Sequence, residues 1–215
     1  MKTVGIVANG PSELIPDLTG YEDEVDIWIG ADRGALTIIK FGIDPDYALG
    51  DFDSITIQEE KSIKNRSKHF TRYPVEKDQT DIEIAVEKGM EFGSELIYFF
   101  GVTGGRLDHE LVNIQLLYRL KKRNYSAIIV DQLNQLEIFT PGTYRIDSNE
   151  AFPYISFVPI SEHVIGMSLD GFYYPLKDFT LSLGSTRCIS NKLLLNNGTF
   201  SFSEGILLLI KSRDG

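Results

Sequence analysis

Gly50-Asp51-Phe52-Asp53-Ser54 follows directly on the apolar run Tyr47-Ala48-Leu49, and Lys77-Asp78-Gln79-Thr80-Asp81 comes later in the chain. Each stretch holds two carboxylates at close spacing. Side chains two apart share a face of a strand, so Asp51 and Asp53 point together if the strand runs on through them. Asp78 and Asp81 are three apart and share a face on the first turn of a helix. Gathered at one end of a sheet, these acids repel, by about 4 kcal/mol for two unit charges ~4 Å apart at an effective dielectric of ~20. Such a cluster persists only beside something positive. A divalent cation carrying a phosphate ligand fits, because hard cations take oxygen ligands.

Around these stretches the chain alternates short apolar runs with helical periodicity. Strands are expected at Thr3–Ala8, Val25–Ile29, Tyr47–Leu49, His69–Tyr73, Leu96–Phe100 and Ala127–Val130. Helices are expected at Leu36–Phe41, at Ile57–Arg66 with Thr56 and Glu59 as a capping box, from the second acid pair to Gly93, and from Arg106 to Arg123. The segment from Pro11 to Glu24 reads as a loop or an irregular helix. Strands alternating with helices imply a mostly parallel sheet covered on both faces, an α/β unit. Both acid pairs and Asp32 follow expected strands, and ligands of open parallel sheets bind beyond the strands' carboxyl ends.

Past Asp131 the character changes. Only short strand-like runs follow, among them Leu136–Phe139, Tyr154–Pro159, Leu193–Leu195 and Ile206–Ile210, punctuated by Gly, Pro and Asn. That pattern suggests an antiparallel sandwich. Asn197-Gly198 signals a hairpin turn. The expected division is an α/β catalytic domain over residues 1–135 and a β-sandwich over 136–215.

The formal net charge of −10 argues against nucleic-acid binding, which needs a basic footprint. An anionic substrate must therefore be held by local cations or a metal. The one cysteine, Cys188, cannot form an internal disulfide, which suits a reducing cytoplasm. No apolar run approaches the ~20 residues of a membrane span, and the first residues read as a strand rather than a signal peptide.

Gly101-Val102-Thr103-Gly104-Gly105-Arg106 reads either as a tight strand-to-helix turn or as a phosphate cradle, with Arg106 offering a fork to phosphate oxygens. Asp108 is expected to act as a helix-terminal dipole partner and His109 to be packed or hydrogen-bonded. Cys188 is expected to be inert. Gly171-Phe172-Tyr173-Tyr174-Pro175 reads as strand packing and turn, and a flat organic ligand could stack on it.

In order, Gly30-Ala-Asp-Arg-Gly-Ala, Gly50-Asp-Phe-Asp-Ser-Ile, Lys77-Asp-Gln-Thr-Asp, Gly101-Val-Thr-Gly-Gly-Arg-Leu-Asp-His-Glu and Cys188-Ile-Ser-Asn191 together resemble the thiamine pyrophosphokinase family. The resemblance implies an α/β nucleotide-binding domain followed by a β-sandwich that binds thiamine and dimerises. It implies a homodimer, with the active site where one subunit's first domain meets the other's second. It implies pyrophosphoryl transfer from ATP to the hydroxyl of thiamine, giving AMP and thiamine diphosphate.

By the same resemblance Asp51, Asp53, Asp78 and Asp81 hold magnesium and the polyphosphate. Gln79, Thr80 and Arg106 contact ATP, with Gly104 in the cradle. Asp32 and Asp108 line the site, and Ser190 and Asn191 belong to the thiamine pocket. The family often has Ser where this chain has Cys188 and an acid where it has Lys192. Two rival readings are a phosphatase of the haloacid dehalogenase type, which also begins with Asp-x-Asp after a strand, and a non-catalytic nucleotide or thiamine sensor.

Overall fold

A computed structural model describes residues 2–215. The chain forms two compact units, the first running to Gln132 and the second spanning Leu133–Gly215.

The first unit has six strands and four helices: β1 (Lys2–Val7), β2 (Ile27–Ala31), α1 (Gly34–Lys40), β3 (Tyr47–Gly50), α2 (Ile57–Arg66), β4 (His69–Arg72), α3 (Asp81–Glu91), β5 (Ser94–Phe100), α4 (Leu107–Lys122) and β6 (Ser126–Val130). The segment before β2 is irregular, with short 3-10 turns at Ser12–Leu14 and Leu18–Tyr21. The strands lie in the order β4-β3-β2-β1-β5-β6, and every neighbouring pair is parallel. Strands β1, β2 and β5 are apolar nearly throughout, as burial on both faces requires. Val4 lies against Gly89 of α3, whereas Val7 shares a cluster with Ile38 of α1 and Phe100. Three residues apart on one strand, Val4 and Val7 face opposite sides, so helices cover both faces of the sheet.

The chain leaves β1 outward through β2, β3 and β4, then returns to the other side of β1 at β5. The order therefore reverses between β1 and β5, the place where open sheets leave a crevice at their carboxyl edge. Two glycines let the exits of these strands close up. The Gly10 N–H donates to Gly101 O at 2.7 Å, and a Cβ on Gly10 would meet that oxygen at 2.6 Å.

The second unit is antiparallel, with β7 (Asn134–Phe139), β8 (Gly142–Asp147), β9 (Tyr154–Pro159), β10 (His163–Asp170), β11 (Leu176–Ser182), β12 (Asn197–Phe202) and β13 (Leu207–Ser212). Its strands pair as β7-β13-β9 and as β11-β10-β12-β8. Both sets turn alternate residues into one core, where the Phe157 ring lies 5.1 Å from Phe200 and 5.6 Å, edge-on, from Phe172.

Three local expectations differ from the structure. Asn197-Gly198 is not a hairpin turn but the start of β12, paired with Asp147 and Ile146 of β8. Gly198 is there for close packing: a Cβ would meet Leu193 at 2.6 Å and Asp170 O at 2.9 Å. Leu193–Leu195 forms no strand, only an isolated bridge from Leu193 to Phe172. And β3 ends at Gly50, because Phe52 takes a left-handed conformation (φ 55) that turns its ring into the core, stacked on Phe70 at 4.6 Å. Asp51 and Asp53 are therefore not alternate residues of one strand.

Candidate active site

The acidic and glycine-rich stretches of the first unit all leave the carboxyl edge of the sheet. Asp32 follows β2 in a left-handed conformation (φ 50), its N–H donating to Leu49 O at 2.8 Å. One of its oxygens, Oδ2, accepts from the Ser54 hydroxyl at 3.1 Å. Asp51 follows β3, and its Oδ1 accepts the Asp53 N–H at 3.1 Å. Asp53 itself points to solvent.

Helix α3 begins at Asp81, not at Asp78. Thr80 is its N-cap, accepting from Glu83 N at 3.2 Å while the Glu83 carboxylate accepts from Thr80 N at 3.1 Å. This capping box was legible as Thr80-x-x-Glu83. It leaves Asp78 exposed ahead of the helix, so Asp78 and Asp81 do not share a helical face. Gln79 donates to Glu87 at 2.7 Å.

Lys77 ties the two acidic stretches together. Its Nζ lies 3.1 Å from Asp81 Oδ1 and 3.5 Å from Asp51 Oδ2, and it donates to Pro74 O at 3.1 Å. Burial opposes the Lys77 charge, but Asp81 and then Asp51 outweigh it and hold the ammonium above its usual range. The Asp81 carboxyl is pushed up, first by burial and further by Asp51 and Asp32, with Lys77 pulling against them. Asp81 thus feels both Asp51 and Asp32, while the Lys77 ammonium pairs with Asp81 and Asp51.

A cavity of about 540 Å³ opens here, lined by Asp32, Lys77, Gln79, Thr80, Asp81 and Arg106 and floored by Ala8-Asn9-Gly10 and Gly101–Thr103. It lies at the reversal between β1 and β5 and has the size of a small-molecule site. Asp51, Asp53, Asp78 and Asp108 do not form its wall. His109, expected to be packed or hydrogen-bonded, is exposed and lines the cavity.

The glycine-rich turn is held from several sides. Thr103 donates to the buried Asp131 at 2.8 Å, and Asn113 donates to Val102 O at 3.0 Å. The Gly104 N–H donates to the Glu110 carboxylate at 2.9 Å. Arg106 grips Asp108 with two bonds, Nε to Oδ1 at 3.1 Å and Nη2 to Oδ2 at 2.6 Å. That grip is the main reason the Asp108 carboxyl is lowered to about 2. The phosphate-seeking groups of this turn thus already hold carboxylates of α4. Sequence reasoning missed Lys77, Asn113, Glu110 and Asp131 as parts of the site. Asp131 carried a signal, since it follows the apolar run of β6 as Asp32 follows that of β2.

In the second unit, Ser190 and Asn191 sit beside the aromatic turn. Asn191 is 2% exposed. Its Oδ1 accepts from Tyr174 N at 3.0 Å and Lys192 N at 2.9 Å, and its Nδ2 donates to Tyr174 O at 2.9 Å. Ser190 is exposed in a left-handed conformation (φ 54), its N–H donating to Ser156 Oγ at 2.9 Å. Tyr173 and Tyr174 are exposed and meet edge-on at 4.9 Å. A second cavity of about 220 Å³ is lined by Tyr174, Pro175, Arg187, Cys188 and Asn191. Burial raises the Cys188 thiol, with Arg187 opposing, so it is a poor nucleophile.

Among the described residues no ready-made group of three or more acidic, His or Cys side chains stands at metal-holding distance. The donor chemistry nevertheless fits a hard cation. The buried atoms Asp32 Oδ1 and Asp81 Oδ1 have no hydrogen-bond donor among the described residues, the latter only its ion pair with Lys77. Three carboxylates and one ammonium leave two negative charges, which one divalent ion cancels. Oxygen-only donors at a strand-end crevice suit magnesium better than softer metals.

A parallel α/β unit that brings acids, an ammonium and a glycine-rich turn to its switch point has the layout of a kinase-type transferase. Known proteins give the finer assignment. Residues 18–129 match the family model "Thiamin pyrophosphokinase, catalytic domain" and residues 143–207 match "Thiamin pyrophosphokinase, vitamin B1 binding domain". The thiamine pyrophosphokinase of Bacillus subtilis (strain 168) is 50% identical over 214 residues, covering 100% of both chains. A crystal structure of thiamine pyrophosphokinase from Bacillus subtilis superposes with a TM-score of 0.94 at 49% identity, again over 100% of both chains. A thiamin pyrophosphokinase structure from Candida albicans, at 17% identity, shares the fold with a TM-score of 0.83 over 99% of this chain and 89% of its own. The chain belongs to the thiamine pyrophosphokinase family, and it is an enzyme of the thiamine diphosphokinase type.

Proposed function

We propose that the protein transfers a pyrophosphoryl group from ATP to the hydroxyl of thiamine, forming thiamine diphosphate and AMP with magnesium. The observation that carries the reading is the meeting of Asp51 and Asp81 at Lys77, with Asp32 acting on Asp81, at the carboxyl edge of the parallel sheet. Asp51 and Asp81, with Asp32, would hold the ion. Its chemistry there is neutralisation of phosphate charge, the main requirement of phosphoryl transfer. Asp53 and Asp78 border the same cluster in sequence and are exposed to solvent.

The residues of the chain position the reaction. Gln79, Thr80 and Arg106 line the cavity where the nucleotide would lie, and Arg106 exchanges Asp108 for phosphate oxygens. The Gly104 N–H makes the same exchange with Glu110. The thiamine hydroxyl attacks the β-phosphorus, the bond from that phosphorus to the oxygen bridging to the α-phosphorus breaks, and AMP leaves with that oxygen. The hydroxyl proton passes to a carboxylate of the cluster. Holding hydroxyl and phosphorus in line supplies the other large share of the rate.

The second unit supplies the thiamine contacts, with Ser190 and the turn at Tyr173–Tyr174 beside the smaller cavity. Asn191 holds that turn through the Tyr174 backbone. The protein works as a homodimer, one copy's second unit completing the other copy's site. Each unit carries exposed apolar residues suited to such contact, Leu107, Leu111 and Val112 on α4, and Tyr173, Tyr174 and Leu194 in the second unit. The cytoplasm suits its buried, unpaired cysteine. No helix among the described residues is long and apolar enough to cross a membrane.

The test is AMP formation from ATP. AMP equal to the thiamine diphosphate formed, and requiring both thiamine and magnesium, is the expected result. Phosphate release from ATP without thiamine would favour the phosphatase reading, and binding with no AMP would favour the sensor reading. The family assignment favours neither.

A further inference from the structure

Lys77 occupies an unusual position for a group facing a polyphosphate. A lysine that served only to bind phosphate would extend into the cavity. This one turns back, with its ammonium between Asp81 at 3.1 Å and Asp51 at 3.5 Å and hydrogen-bonded to Pro74 O at 3.1 Å. Its side chain is only 15% exposed, as is that of Asp51, and Asp81 is 24% exposed. At such burial the charges are poorly screened, so removing the ammonium would leave the carboxylates repelling one another.

We infer that Lys77 is a placeholder for the divalent cation: it holds Asp51 and Asp81 together before substrate arrives, then yields them to the metal and turns its ammonium to the polyphosphate. This inference rests on the pyrophosphokinase reading and adds to it a role for a positioning residue. The chemistry of the side chain suits an exchange. An ammonium on a four-carbon stem is a mobile point charge with three donors, whereas an arginine fork would hold the carboxylates in fixed geometry. Lys77 also lines the cavity, so its head has only to rotate to face a ligand there. A further consequence is a fixed coupling between ligands. Metal alone must compete with Lys77, but metal arriving with a polyphosphate gives the displaced ammonium a new partner, so each favours the other's binding.

Two phosphate-seeking groups of the glycine-rich turn follow the same pattern. Arg106 is held by Asp108 and the Gly104 N–H by Glu110. The difference at Lys77 is that the carboxylates it holds are the ones the metal would take.

The experiment measures Mn²⁺ binding to the full-length protein without nucleotide, by calorimetry, for the wild type, Lys77→Gln and Lys77→Arg. Lys77→Gln is expected to bind Mn²⁺ alone at least tenfold more tightly than wild type, and to bind ATP more weakly once Mn²⁺ saturates. Lys77→Arg is expected to bind Mn²⁺ alone no more tightly than wild type. Unchanged or weaker Mn²⁺ binding by Lys77→Gln would overturn the inference, since a lysine that does not compete with the metal for these carboxylates predicts that outcome. Should Lys77→Gln fail to fold, the wild type decides: reductive methylation of the Lys77 amine, followed by peptide mass spectrometry, is expected to speed up when Mn²⁺ alone is added. An unchanged or slower rate overturns the placeholder role. Wild-type AMP formation with thiamine, measured alongside, tells failure of this inference from failure of the pyrophosphokinase reading.

Discussion

The acidic cluster of the first unit and the aromatic turn of the second handle buried polar groups in opposite ways. In the first, Asp32 keeps a buried oxygen with no hydrogen-bond donor among the described residues, and the buried Asp81 oxygen has only its ion pair with Lys77, which leaves the carboxylates in excess. In the second, the buried amide of Asn191 is engaged three times, twice by Tyr174 and once by Lys192. The first arrangement is costly without a ligand and ready for one. The second is complete as it stands and fixes a turn. Acids that await a ligand should matter to turnover and little to stability, whereas Asn191 should matter to both.

The largest expected effect breaks the first arrangement. Asp51→Asn and Asp81→Asn should each lower turnover about a hundredfold, close to 2.7 kcal/mol of transition-state stabilisation. Their thermal midpoints should stay at or above that of the wild type, because each removes a carboxylate from a crowded cluster. Steady-state kinetics and thermal unfolding on the same preparations check both halves. A collapse in stability would assign these acids to the fold instead.

Asn191→Ala tests the other side. It leaves the Tyr174 backbone groups without their partner, a loss of about 2 kcal/mol. Denaturant unfolding should show that loss, together with a raised KM for thiamine and an unchanged KM for ATP. Full stability with only a raised KM would make Asn191 a direct thiamine contact. Asp78→Asn sharpens the contrast within the first unit. Asp78 is exposed and precedes the helix, so its loss should cost about tenfold in turnover, less than that of Asp81, in the same kinetic assay.

The smallest effect compares two capping boxes. Thr56 caps α2 and Thr80 caps α3 in the same way. Replacing either by Ala should cost about 1 kcal/mol of stability. Only Thr80→Ala should also lower turnover, by a few fold, because Asp81 is the residue that α3's start holds in place.

The alternation of apolar runs and helical periodicity made the parallel unit legible, and the run of short strands past Asp131 made the antiparallel one so. Thr56-x-x-Glu59 placed α2 correctly, while the equal signal at Thr80-x-x-Glu83 was overlooked in favour of the acid spacing, which put α3's start too early. Asn197-Gly198 shows the limit of local turn chemistry. The dipeptide suits a tight turn, but long-range packing against Leu193 and Asp170 demanded the glycine inside a strand. Phe52 shows the same limit in the site. Its burial ends β3 and separates Asp51 from Asp53, a consequence of a core that no spacing rule contains. Which cation balances the acids was also hidden, because Lys77 reaches Asp51 only through the fold.

The central claim is that Asp51 and Asp81, with Asp32, hold the metal that grips a nucleotide's phosphates. Anomalous diffraction from crystals grown with Mn²⁺ and a non-hydrolysable ATP analogue tests it most directly. The account predicts a manganese peak bonded to oxygens of Asp51 and Asp81 beside the analogue's phosphates, with the Lys77 ammonium turned toward them. A peak held elsewhere, with Lys77 still between the two carboxylates, would contradict it.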